Sequence, residues 1–289
     1  MKKKIIIGIL ILIIIVLTGI AGYFFVLDIE TQIPEELDKD TIVETEQVMG
    51  RKVFTIYPQN VEKSGKVILY FHGGAYIGEA TKSHWKFLEK LSKDTNSTII
   101  MPDYPLAPKY TYKDVMKMVE EIYKKTIAKY EPENIVMMGD SAGAGITLGL
   151  AQKLSMDNVK LPSKTILISP WLDTGMSNEK IDEVQKNDKD LSKWKLALAA
   201  FFYARDLTNE YEYFVNPING NFSKLKNVVI YTGTYDILNP DCYVLQEKAK
   251  NQGVDIKIKE YEKASHIWIV NNDDDLAIKA YQDLLKEFE

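Results

Sequence analysis

The sequence predicts an α/β protein: a mostly parallel central sheet with helices on both faces, preceded by one N-terminal transmembrane helix. Three observations predict it. Strand-like apolar runs alternate with helix-like stretches along most of the chain. Several runs, such as Val67–Phe71 and Val228–Tyr231, are apolar without a break, as expected for strands covered on both faces. The segment from Ile5 to Leu27 carries no charge and is long enough to cross a hydrocarbon layer about 30 Å thick.

Taken in order, residues 1–4 form a basic tip with Lys2, Lys3 and Lys4, and residues 5–27 form the anchor. Asp28, Glu30, Glu35, Glu36, Asp38 and Asp40 follow it. Positive charge before the span and negative charge after it put the N-terminus in the cytoplasm and the rest outside the cell membrane. The competing reading is a signal peptide cut after Ala21, at Gly19-Ile20-Ala21, which would release a secreted protein. The apolar run continues through Leu27, which favours the uncleaved anchor. Residues 28–50 are acidic, contain Pro34 and read as a tether.

The domain proper is expected over residues 51–289. Its strands are expected at Lys52–Tyr57, Lys66–Phe71, Ser97–Pro102, Asn134–Met138, Lys164–Ser169, Asn227–Thr232 and Asp255–Tyr261. Helical spacing appears between them, in Trp85, Leu88 and Leu91, in Val115, Met118 and Ile122, and in Leu276, Ala280 and Leu284. Residues 173–208 break the alternation: a polar part leads into the apolar, aromatic stretch Trp194–Ala204. Lying between two sheet strands, this insertion reads as a lid or pocket wall.

Composition narrows the chemistry. A chain of 289 residues is long enough for one large α/β domain. A net charge of −5 gives no basic footprint, so nucleic acid is not an expected partner. Cys242, the single cysteine, can form neither an internal disulfide nor a cysteine-rich zinc site and reads as a small buried residue. Three histidines, His72, His84 and His266, limit where histidine chemistry can occur.

The sharpest motif is Gly139-Asp140-Ser141-Ala142-Gly143, a G-x-S-x-G between an expected strand and an apolar helix. A nucleophile on a sharp strand-to-helix turn needs small neighbours, and the helix start offers free N–H groups to a developing negative charge. Taken alone, Ser141 also fits a plain helix N-cap. The second motif, His72-Gly73-Gly74-Ala75-Tyr76, ends the strand Lys66–Phe71. Its backbone N–H groups, with that of Ala142, can approach a reacting carbonyl oxygen closely. His72 reads as a structural hydrogen-bonding residue and His84 as a surface residue of its helix.

These two motifs, with Asp103-Tyr104-Pro105-Leu106-Ala107-Pro108 between them, resemble the hormone-sensitive-lipase-like carboxylesterases of the alpha/beta-hydrolase superfamily. The likeness runs from about Val67 to the C-terminus and includes Ser169-Pro170-Trp171 and Gly233-Thr234-Tyr235-Asp236-Ile237-Leu238. It implies the alpha/beta-hydrolase fold, with Ser141 as nucleophile, Asp236 as the acid and His266 as the base. It implies an oxyanion hole from the N–H groups of Gly74, Ala75 and Ala142, with Gly73 shaping the loop. Chain order agrees, since Asp236 and His266 follow expected strands at the ends where loops gather. Asp241 is the nearest rival acid. Two departures bear on the acyl site: Ala75 replaces a usual glycine, and Ile267-Trp268 follows His266 in place of the common Gly-Phe.

The expected function is hydrolysis of short- to medium-chain carboxylic esters, deacetylation among them, through an acyl-enzyme on Ser141. The partner is a small-molecule ester; no cofactor or metal is expected, and no motif specifies an oligomeric state. Two other readings use the same residues: an amidase or exopeptidase with this triad, and a non-catalytic binding protein on this fold. With imidazole as the base, kcat/KM is expected to fall below about pH 6.5.

Overall fold

The computed structural model describes residues 28–58 and 65–289. The expected basic tip and anchor, residues 1–27, lie outside the described residues. Among those described, no helix is long and apolar enough to cross a membrane.

Eight strands form one sheet in the order β1-β2-β4-β3-β5-β6-β7-β8. They are β1 (Ile42–Val48), β2 (Arg51–Tyr57), β3 (Val67–Phe71), β4 (Thr98–Pro102), β5 (Ile135–Asp140), β6 (Lys164–Ile168), β7 (Val228–Gly233) and β8 (Ile256–Tyr261). From β4 to β8 all pairings are parallel, while β2 runs antiparallel to both β1 and β4. The expected strands all form, with bounds shifted by one or two residues.

The helices are α1 (Lys82–Thr95), α2 (Tyr112–Ile127), α3 (Ser141–Met156), α4 (Lys180–Val184), α5 (Lys193–Tyr203), α6 (Glu212–Val215), α7 (Asn239–Asn251), α8 (Trp268–Asn271) and α9 (Asp275–Leu285). One apolar cluster joins a sheet face to α2, α3, α5 and α7, and a second joins the other face to α1, α8 and α9. Strands β3 and β7 are buried along their whole length, which explains their unbroken apolar sequences. Helix α3 is buried on nearly every side, so its sequence lacks a polar face.

Residues 28–50 are not a free tether. Strand β1 pairs with β2 along its full length through the turn at Met49 and Gly50, whose φ values are 52° and 78°. The strand hid in the acidic composition because it is a sheet edge, with Glu44 and Glu46 turned to water. Upstream, the Arg51 guanidinium holds Asp28 at 2.5 Å and Asp103 at 2.9 Å, and donates to the Ile29 carbonyl. Thr31 donates to Asp103 Oδ1 from its N–H at 3.1 Å and its hydroxyl at 2.7 Å. Residues 28–31 are therefore part of the folded body.

The segment 173–208 folds as α4 and α5 over the sheet. Leu196, Ala199, Ala200 and Tyr203 of α5 are buried, and Tyr203 lies flat on Tyr76 with centroids 3.7 Å apart. That contact puts α5 beside the glycine-rich loop.

Candidate active site

Four parallel strands, β3, β5, β7 and β8, deliver the expected residues to one end of the sheet, where α/β folds gather ligand-binding loops. Ser141 follows β5 at once and sits at φ 52°, a left-handed conformation that costs a non-glycine residue strain. Its neighbours explain the motif. A Cβ on Gly143 would lie 2.0 Å from the Phe71 carbonyl oxygen, so β3 and α3 meet only over glycine. A Cβ on Gly73 would lie 3.1 Å from Ser141 Cβ, which puts the glycine-rich loop directly against the serine.

That loop is shaped for donating backbone N–H groups. Gly74 has φ 124°, Ala75 φ 54° and Tyr76 φ 63°. Among the described residues, the N–H groups of Gly74 and Ala75 find no acceptor, whereas the Gly73 N–H donates to Asp140 Oδ1 at 2.9 Å. The Ala142 N–H lies in the first turn of α3, where no intrahelical acceptor exists. Gly73 thus lies beside Ser141, with Gly74 and Ala75 following it in the chain and Ala142 following the serine.

Asp236 is fully buried just beyond β7, and its Oδ2 meets His266 Nδ1 at 2.8 Å. Its other oxygen accepts from the Leu238 N–H at 2.9 Å, which fixes the carboxylate. The His266 loop is tied down in turn: the Ile267 N–H donates to Ser169 Oγ at 3.1 Å. Ile267 has φ 45°, a left-handed conformation that glycine would adopt without strain. Burial opposes a charged imidazole, but the adjacent Asp236 charge and hydrogen bond outweigh it and hold His266 above its ordinary value. The expected rival, Asp241, faces Asn178 Nδ2 at 2.9 Å instead of the histidine, and burial pushes its carboxyl up to about 6. Among the described residues no hydrogen bond joins Ser141 Oγ to His266; such contacts often tighten only when substrate binds.

His72 has the structural role expected of it. Its Nδ1–H donates to the Gly73 carbonyl at 2.6 Å, its ring stacks on Tyr104 at 4.4 Å, and burial lowers its pKa to about 4. His84 does not lie on the surface. It is 2% exposed, and its Nε2 meets Asp140 Oδ2 at 3.2 Å. The Thr81 N–H donates to Nδ1 at 2.9 Å, so the proton facing Asp140 sits on Nε2. Asp140 also accepts from the Tyr70 hydroxyl at 2.6 Å. Burial would raise this carboxyl, but the His84 ring and the Tyr70 hydroxyl outweigh it and hold it below the ordinary carboxylate range. Tyr70, Asp140 and His84 therefore lock Gly73 against Ser141, a positioning role that motif reading missed. Its one legible signal is that His84, Phe87 and Leu91 share the buried stripe of α1. Cys242 is buried as expected, and burial pushes its thiol up, out of the reactive range.

Two clefts of about 600 Å³ lie elsewhere, one along α7 and one between α1 and α9. Neither contains a reactive constellation, so chemistry, not cleft size, identifies the site.

Comparison with known proteins agrees with this architecture. A family profile described as alpha/beta hydrolase fold matches residues 68–270. An esterase of Acinetobacter venetianus is 29% identical over 197 residues, covering 68% of this chain and 65% of the relative. A triacylglycerol lipase of Mycobacterium tuberculosis is 27% identical over 222 residues, covering 76% of this chain and 46% of the lipase. The chain thus spans less than two thirds of the length of each. A crystal structure of a candidate esterase from Staphylococcus aureus superposes with a TM-score of 0.83 at 25% identity, covering 89% of this chain and 86% of that one. An esterase of the bacterial hormone-sensitive lipase family superposes at 0.78 with 23% identity, covering 89% and 84%, a likeness of fold alone. With the profile covering most of the domain and both motifs in place, the chain belongs to the alpha/beta hydrolase fold family.

Proposed function

We propose that this chain is a membrane-anchored serine carboxylesterase acting on short- to medium-chain esters outside the cytoplasm. The observation that carries the catalytic reading is the buried Asp236–His266 contact of 2.8 Å, at the same sheet end as Ser141 on its strained turn. His266 takes the Ser141 proton as the hydroxyl attacks the ester carbonyl, and Asp236 orients and supports the imidazolium. The N–H groups of Gly74, Ala75 and Ala142 stabilise the oxyanion. His266 then protonates the leaving alcohol, and water, activated by the same base, releases the acid from the acyl-Ser141. The anchor reading rests on the uncharged run Ile5–Leu27 and its flanking charges.

A chain-length series of nitrophenyl esters, from acetate to octanoate, tests the function. Turnover that peaks at short or medium chains and vanishes in Ser141→Ala is the expected result. Equal turnover in Ser141→Ala, or activity confined to anilides, would contradict an esterase on this serine.

A further inference from the structure

We propose that the outward face of α5 lies on the lipid surface, so that the domain docks flat on the membrane next to its own anchor. The inference rests on reading residues 5–27 as that anchor. Trp194, Leu198 and Phe201 are 67%, 51% and 70% exposed, although their type favours burial. At spacings of i, i+4 and i+7 they form one stripe, opposite the buried Leu196, Ala199, Ala200 and Tyr203. The helix is apolar on both faces, and among the described residues only the inner face packs against the core.

The occupant follows from where the chain enters the domain. No free spacer separates residue 27 from the folded body, because Asp28 is held by Arg51 and meets Lys109 at 2.6 Å and Tyr110 at 3.0 Å. The chain two residues past α5 reaches the same place: the Arg205 guanidinium donates to the carbonyls of Pro108 and Lys109. One short turn, Pro108–Tyr110, thus joins the anchor's exit point to the end of α5. A span ending at Leu27 therefore holds this corner of the domain at the headgroups. The stripe also has interfacial chemistry, since Trp194 is flanked by Lys193 and Lys195, and lysine stems can lie along lipid while their charges stay wet. At its far end Tyr203 lies on Tyr76, so α5 connects the lipid surface to the glycine-rich loop.

Trp194 is a built-in probe. The other three tryptophans, Trp85, Trp171 and Trp268, are at most 1% exposed, so contact quenching reports on Trp194. The full chain is reconstituted into phosphatidylcholine–phosphatidylglycerol vesicles with brominated acyl chains, and its emission is compared with that of Trp194→Phe. The proposal expects the brominated lipid to remove most of the emission that Trp194→Phe removes. It also expects Leu198→Gln/Phe201→Gln to weaken this quenching while leaving nitrophenyl acetate turnover unchanged. Emission unaffected by brominated lipid but quenched by aqueous iodide would overturn it. Emission protected from both would also overturn it, assigning the face to residues 5–27 or to a second copy. An alkaline carbonate wash reads the anchor separately. A chain that resists the wash yet shows no lipid quenching has the anchor without the docking, and a chain that washes off loses the anchor reading by itself.

Discussion

The catalytic reading reduces to a few side chains whose environments set their behaviour. Asp236 holds His266 above the ordinary imidazole value, and His266 must be neutral to accept the Ser141 proton. Activity is therefore lost as pH falls through that raised value, so the acid limb of kcat/KM should have its midpoint above about 6.5, higher than an unperturbed histidine gives. A midpoint near pH 6 or below would count against the pair. The same shift has a stability side: its contribution is complete below the unfolded pKa and fades as pH rises through the folded one. Asp236→Asn keeps the shape and removes the charge, and kcat should fall by about 10⁴-fold. For the positioning group, His84→Ala should lower kcat without moving KM or the acid limb. The loss is bounded by the ~10²–10³-fold that one oxyanion donor contributes, with partial rescue in His84→Gln, which keeps a donor. Ala75 adopts φ 54°, where glycine is strain-free, so Ala75→Gly should be neutral or stabilising by up to about 1 kcal/mol in denaturant melts.

Among the elements, the contrast between what the sequence disclosed and what it concealed has physical causes. Strands β3 and β7 were legible because burial on both faces leaves them apolar, edge strand β8 because Ile256 and Ile258 alternate with Lys257 and Lys259, and the Ser141 turn because its close approaches demand glycines. Strand β1 was not legible, because an edge strand with one face in water reads like an acidic linker. Nor was the burial of His84, since a polar residue at the start of an amphipathic helix looks exposed until Asp140 arrives from another strand. The clamp of Asp28 and Thr31 depends on Arg51 and Asp103, which are distant in sequence and leave no local periodicity. That clamp carries its own prediction. Arg51 is 3% exposed and Asp103 not at all, so Arg51→Ala strands a buried carboxylate. It should cost about 3–5 kcal/mol in equilibrium unfolding, the range for breaking a buried pair from one side. A loss under about 1 kcal/mol would show that residues 28–31 are held by other contacts.

At the scale of the whole molecule, one sheet with helices on both faces supports a reactive end built by β3, β5, β7 and β8, while β1 and β2 extend the far edge. The acidic stretch once read as a spacer is part of this body, which brings the domain directly to the end of the apolar N-terminal segment. Esterase chemistry on Ser141 is the central claim, and active-site labelling tests it most directly. The full chain is treated with a fluorophosphonate, digested, and the adduct located by peptide mass spectrometry. A single adduct on Ser141, absent after denaturation and weakened in His266→Ala, is the predicted result. A folded chain that takes no label, or takes it on another residue, would contradict the assignment.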